Sequence, residues 1–224
     1  MTKILILHAS LGTGHVSAAQ SLGQAFQRLG VDNVQVEDTL DYASGILRST
    51  LNKSYLQMSE KAPQLWRMFF EESDSDDLED SIRGNMLLGQ LGRPFLRKLS
   101  KLIQESAPDA IVCTMQIPAM LISYLKKEGR LNTPLYVTVT DFIAHSTWFN
   151  FGVNGYFLPG DITRLQFLVR GVDEKLLHVT GIPVNLQIME PKPMADMRAR
   201  HNLPLDGPLV TLFGGGITPE RMRT

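Results

Sequence analysis

Apolar and polar positions in the first forty residues follow two different periods. Ile4-Leu5-Ile6-Leu7 is an apolar run of strand length. It passes through His8-Ala9-Ser10 into Leu11-Gly12-Thr13-Gly14-His15, after which Ala18, Ala19 and Leu22 recur at helical spacing. The pattern predicts a strand, a glycine-bearing turn and a helix that runs to about Leu29, with Gly30 as its stop. Val34-Gln35-Val36-Glu37-Asp38 reads as a second strand, at the separation expected of a right-handed βαβ unit.

The texture changes from Thr39 to Lys101, where helical spacing dominates and no strand stands out. Tyr42, Ile46, Leu47 and Leu51 lead to Leu65-Trp66-Arg67-Met68-Phe69-Phe70 and then to a mainly acidic run from Glu71 to Asp80. A helix is expected over residues 87–103, mixing Leu91, Phe95, Leu99 and Leu102 with Arg93, Arg97, Lys98 and Lys101. Two arrangements fit this insertion. Its helices can cover one face of a sheet, with the acidic run as a solvated loop. Alternatively, Trp66, Phe69 and Phe70 can dip into a lipid headgroup layer, with nearby cations attracted to anionic lipid.

Strand and helix then alternate again. Strands are expected at 110–114, 135–140, 155–159 and 177–180, and helices at 119–127 and 161–170. Such alternation predicts an α/β chain with a Rossmann-like, mostly parallel sheet and helices on both faces. Glu190-Pro191-Lys192-Pro193 can continue neither a helix nor a central strand. The expected organisation is an N-terminal domain over 1–185, a connector over 186–207, and the truncated start of a second α/β domain over 208–224. In that last piece a strand runs into Gly214-Gly215-Gly216.

Composition narrows the function classes. Twenty-two basic and 23 acidic residues give a formal charge of −1, which does not suit a nucleic-acid partner. The lone Cys113 lies in an apolar run and allows no intrachain disulfide. No apolar stretch approaches the roughly 20 residues needed to cross a bilayer, and the first apolar run is too short for a signal peptide. The expected location is cytoplasmic. No metal-ligand spacing occurs among the five histidines.

Candidate chemistry gathers at the turns after the strands. Glycines in Gly12-Thr13-Gly14 let a backbone approach a ligand, and the free amides of a helix start favour negative charge. The same partial positive charge disfavours imidazolium, so His15 is a candidate proton acceptor. Asp141 and His145 follow the strand at 135–140, at the strand end where ligands collect in open α/β sheets. A dinucleotide enzyme is a rival reading, with Glu37 or Asp38 holding a ribose. Against it, Ser17-Ala18 stands where the usual third glycine would be.

Gly12-Thr13-Gly14-His15 with Ala18-Ala19, Thr140-Asp141-Phe142 with His145 and Trp148, and Val179-Thr180-Gly181-Ile182-Pro183-Val184 occur in this order. Together they resemble the N-terminal half of monogalactosyldiacylglycerol synthases and bacterial processive diacylglycerol glucosyltransferases. A more distant likeness is to the N-acetylglucosaminyltransferase of peptidoglycan synthesis. The resemblance implies a GT-B glycosyltransferase in which this chain is the acceptor domain, binding a lipid acceptor such as diacylglycerol and inactive alone. It implies inverting transfer of a hexose from a UDP-sugar, no required cofactor, and peripheral association with the inner face of the cell membrane.

Carried over residue by residue, the resemblance makes His15 the base or the acceptor-orienting group, with Asp141 orienting it or serving as the base itself. Gly12, Thr13, Gly14 and His145 would contact the acceptor, and Gly214, Gly215 and Gly216 the donor phosphates. Thr13 stands where family members often have Gly or Ser. Two other classes stay open: a nucleotide- or nicotinamide-dependent enzyme, and a lipid-binding module without catalysis.

Overall fold

The computed structural model describes residues 2–51 and 74–211. The anchors Trp66, Phe69 and Phe70 and the glycine loop Gly214-Gly215-Gly216 lie outside the described residues. The chain divides into two units, Met1–Val184 and Asn185–Thr224.

The first unit is built on a six-stranded parallel sheet in the order β2-β1-β3-β4-β5-β6. Its strands are β1 (Lys3–His8), β2 (Asn33–Asp38), β3 (Ala110–Cys113), β4 (Leu135–Thr138), β5 (Val153–Leu158) and β6 (Leu177–Val179). Its helices are α1 (Thr13–Arg28), α2 (Leu78–Gly92), α3 (Arg97–Ser106), α4 (Gln116–Lys127) and α5 (Asp161–Val169), and a further helical segment begins at residue 45. This is the Rossmann-like α/β class expected from the alternating pattern, and it is consistent with the N-terminal half of a GT-B glycosyltransferase.

β1 shows why its sequence is apolar without a break. Leu5 and Leu7 join the large core with Leu99 and Ile103 of α3, Leu121 and Ile122 of α4, and Phe167 of α5. Ile4 and Ile6 face the other way, onto Ala19, Leu22 and Phe26 of α1. A strand with helices on both sides has no polar face to keep. Cys113, in the same layer, is fully buried, and burial pushes its thiol far above the usual range.

The insertion departs from expectation in two ways. Residues 87–103 do not form one helix. Pro94 has no amide to donate to the preceding turn, so the helical path tightens into a 3-10 turn at Arg93–Leu96 and restarts as α3. The acidic run also does more than solvate a loop. Asp77 caps α2 by accepting from the Asp80 amide at 2.8 Å, and Glu79 and Asp80 occupy the first turn, where the helix dipole favours negative charge.

α2 lies against α4 at very short range, because Gly89 presents no side chain there. A Cβ at Gly89 would stand 2.4 Å from the Met120 carbonyl oxygen. In the second unit, a 3-10 turn at Leu186–Met189 precedes α6 (Met194–Arg200). Arg198 closes the turn after α6 by donating to the carbonyls of Pro204, Leu205 and Gly207.

Gly89→Ala is expected to lower unfolding stability by about 1–3 kcal/mol, because backbone on the facing helix has to move. Urea denaturation measures this. An unchanged midpoint would show that the two helices do not approach as closely as described.

Candidate functional site

The sheet order reverses between β1 and β3. The chain leaves β1 toward β2 on one side and later returns to β3 on the other. Such a reversal opens a crevice at the carboxyl ends of the strands. Three segments meet there: the α1 start after β1, Thr114 after β3, and Thr140-Asp141 after β4.

Gly12 is the residue before α1 and has φ 102°, a conformation that favours glycine. It carries no capping side chain, and the first turn of α1 holds no acid. Gly14 has a different meaning. A Cβ there would meet nothing within 4 Å, so the fold itself does not require glycine at this position. Gly12, Thr13 and Gly14 are all exposed, forming an open lip above the crevice.

His15, the third residue of α1, is half-buried and held from one side. Its Nδ1 lies 2.8 Å from the Thr114 carbonyl oxygen and 2.9 Å from Thr140 Oγ1. A carbonyl can only accept, so Nδ1 carries the ring proton and donates it, with the Thr140 hydroxyl as a second acceptor. On the neutral ring the lone pair therefore sits on Nε2, which has no hydrogen-bond partner among the described residues. Thr114 Oγ1 donates in return to the His15 carbonyl at 2.9 Å, which locks the helix start to the end of β3.

Asp141 stands apart from this lock. Its Oδ2 accepts from Trp148 Nε1 at 3.0 Å and from Gln116 Nε2 at 3.5 Å. No hydrogen bond joins Asp141 to His15 among the described residues; Thr114 and Thr140 hold the Nδ1 edge. Trp148, fully buried, links the two candidates, since its ring centroid lies 6.4 Å from that of His15. His145 is buried below the loop, where Nδ1 accepts from the Thr147 amide at 3.2 Å and caps a short turn. In this position it shapes the loop from within. Beside Asp141, Phe142 and Ile143 are 63% and 67% exposed, an apolar tip at the rim of the crevice.

The loop 141–149 is tied down by side chains from outside it. Thr163 donates to the Phe142 carbonyl, Gln166 accepts from the Ala144 amide, and Arg170 donates to the Ala144 carbonyl. Asp74 accepts from the Ser146 amide at 2.6 Å and pairs with Arg170 at 2.9 Å. Asn85, buried on α2, donates to the carbonyls of Ser146 and Phe149 at 2.9 and 2.7 Å. Thr114, Thr140, Asn85 and Asp74 were not singled out from the sequence as site-forming residues. Their partners, the His15 ring for Thr114 and Thr140, loop backbone for Asn85, and loop backbone with Arg170 for Asp74, lie tens of residues away, which no local pattern signals.

The acids at the end of β2 are otherwise engaged. Glu37 accepts from the Tyr42 hydroxyl at 2.8 Å, which pushes that phenol up to about 12. Asp38 accepts from the amides of Leu40 and Ser10. Both carboxylates thus serve the turn after β2, which weakens the reading in which they hold a ribose. His8, at the end of β1, is buried, and desolvation draws its pKa below the ordinary value against the opposing pull of Asp38, Asp41 and Glu37. Among the described residues, no group of three or more metal-ligating side chains converges, and no helix is long and apolar enough to cross a membrane.

A family profile described as "Monogalactosyldiacylglycerol (MGDG) synthase" matches residues 15–184, well over half of the chain. The chain belongs to the monogalactosyldiacylglycerol synthase family. It is 26% identical over 214 residues to the processive diacylglycerol beta-glucosyltransferase of Bacillus subtilis (strain 168), covering 95% of this chain and 54% of that protein. It is 30% identical over 184 residues to the protein of the same name from Bacillus mycoides (strain KBAB4), covering 81% of this chain and 45% of that one. The chain thus spans about half the length of these relatives. The family match contains His15, Thr114, Thr140, Asp141, His145 and Trp148, the residues gathered at the crevice.

Asn85→Ala is expected to cost about 1–3 kcal/mol of stability, because it leaves the Phe149 carbonyl without a donor and the Ser146 carbonyl with the Phe149 amide alone. It should also accelerate hydrogen exchange in the loop 141–149 more than in β1. Uniform exchange across the chain would contradict this assignment of Asn85.

Proposed function

We propose that the chain is the acceptor-side half of a GT-B glycosyltransferase that moves a hexose from a UDP-sugar to a lipid hydroxyl such as that of diacylglycerol. The observation that carries this reading is the His15 ring, whose Nδ1 is fixed by the Thr114 carbonyl and whose Nε2 is left to take a proton. Family membership and the names of the relatives support the substrate class. The exposed apolar tip at Phe142 and Ile143 suits a lipid acceptor.

In this mechanism the acceptor hydroxyl lies against Nε2. Its oxygen attacks the anomeric carbon, the bond from that carbon to the UDP oxygen breaks, and the hydroxyl proton passes to Nε2. A single displacement on an α-linked UDP-sugar gives a β-linked product, in keeping with the relatives' designation as beta-glucosyltransferases. Gly12, Thr13 and Gly14 form the lip over which the acceptor enters, and Gly14 leaves room for close approach. Asp141, held by Trp148 and Gln116, is a fixed negative charge at the rim; His15 is the base. His145 supports the acceptor wall from below.

The domain reading follows the same lines. Residues 1–185 form the acceptor domain, 186–207 a connector, and 208–224 the start of a donor domain whose first loop, Gly214-Gly215-Gly216, faces the diphosphate. Charge on the leaving diphosphate is met by amides and side chains, so no cofactor is required. The protein works at the inner face of the cell membrane as a peripheral enzyme, with Trp66, Phe69 and Phe70 as lipid contacts.

The assay is sugar transfer from UDP-glucose and UDP-galactose to diacylglycerol by the product of the full coding sequence. His15→Ala should lower kcat by about 10²–10⁴-fold, the range of a lost general base, far more than the roughly 1–2 kcal/mol of unfolding stability lost with its bond to the Thr114 carbonyl, so that the variant stays folded. Unchanged turnover would remove His15 from the mechanism. The 224 residues alone should transfer little or no sugar.

A further inference from the structure

α2 and α3 carry an outward face that the core does not explain. Leu87, Leu91 and Phe95 repeat at four-residue spacing and are 56%, 60% and 41% exposed. The 3-10 turn at Arg93–Leu96 keeps the backbone right-handed between the two helices, so Lys98 continues on the side of Phe95. Three-residue and four-residue steps in such a path keep side chains on one face.

Charge on this stretch is one-sided. Between Asp80 and Glu105 there are five cations, Arg83, Arg93, Arg97, Lys98 and Lys101, and no acid. Arg83 pairs with Glu79 and Asp80, and Lys101 with Glu105. Arg93, Arg97 and Lys98 have no acidic partner among the described residues. α5 makes a useful contrast. Ile162, Leu165 and Val169 are also exposed, but Arg164 is paired with Glu174 and Arg170 with Asp74, so that face offers no unpaired cation.

We infer that the α2–α3 face docks on an anionic lipid bilayer, with Leu87, Leu91 and Phe95 entering the headgroup boundary and Arg93, Arg97 and Lys98 meeting lipid phosphates. An apolar stripe flanked by unpaired cations is complementary to such a surface: the side chains bury area while long basic stems keep their charges at the phosphates. The inference rests on the lipid-acceptor reading above and assigns lipid contact to residues other than Trp66, Phe69 and Phe70. It also has a geometric consequence. Asn85 on α2 grips the loop 141–149, so the site loop lies within about one helix diameter, roughly 10 Å, of the docking face.

The test is co-sedimentation of the protein with phosphatidylcholine vesicles prepared with and without phosphatidylglycerol. Binding should need phosphatidylglycerol and weaken as salt is raised. The triple variant Arg93→Gln, Arg97→Gln, Lys98→Gln should bind on the order of 100-fold more weakly, at about fivefold per cation. Leu87→Ser with Leu91→Ser should weaken binding through a different term, and far-UV circular dichroism should show both variants folded.

Equal binding by wild type and triple variant would overturn the inference, as would binding indifferent to phosphatidylglycerol. A concentration-dependent dimer abolished by the Leu87→Ser, Leu91→Ser variant would overturn it too, by assigning the stripe to a second copy. Transfer to detergent-dispersed diacylglycerol separates the two proposals. The triple variant should match wild type there. Failure of the wild-type product of the full coding sequence to transfer would sink the enzymatic reading while leaving the vesicle result to stand or fall alone.

Discussion

The hydrogen bond from His15 Nδ1 to the Thr114 carbonyl is the contact around which the crevice is built. It joins the first helix of the chain to the strand that follows the insertion, across 99 residues of sequence. The return bond from Thr114 Oγ1 to the His15 carbonyl makes the junction two-way, so neither segment can turn without breaking a partly buried polar pair. Because a carbonyl accepts and never donates, the same contact that fixes the backbone also chooses the tautomer. Position and proton inventory of the ring are thereby set by one atom.

The second wall depends on a different economy of contacts. Loops at strand ends carry backbone groups that the sheet cannot satisfy, and 141–149 meets that demand with side chains from α5, from Asp74 and from α2. A segment fixed at so many points holds Asp141 and Trp148 in place with only a short 3-10 turn of its own. The helical insertion is thus part of the site's support as well as a cover for the sheet. One face of α2 grips the loop, another presents leucines to the outside, and the unpaired cations follow in the 3-10 turn and α3.

The fold was legible where burial acts on local periodicity. β1, α1 and the later strands are strongly patterned, and positive φ occurs at Gly30, read as the stop of α1, and at Gly12, read as part of the turn that opens it. Legibility failed where one residue overrides a pattern or where partners are distant. Pro94 divides an otherwise continuous helical stripe. Asp74 and Asp77 look like members of a solvated acidic run until Ser146, Arg170 and the α2 amides are seen to use them. At the site, the residue types at 15 and 141 drew attention because histidine and aspartate can move protons. Thr114 acts mainly through its backbone carbonyl, which every residue possesses, so nothing in its identity announced the role.

The central claim is that His15 is held as the Nδ1-protonated tautomer with Nε2 free to accept a proton. Long-range ¹H–¹⁵N correlation spectra of the ring-¹⁵N-histidine-labelled protein, with His15 assigned by comparison with His15→Gln, report this directly. The account predicts that the neutral ring shows Nδ1 as the protonated, pyrrole-type nitrogen and Nε2 as the pyridine-type nitrogen. The reverse pattern, with the proton on Nε2, would contradict it.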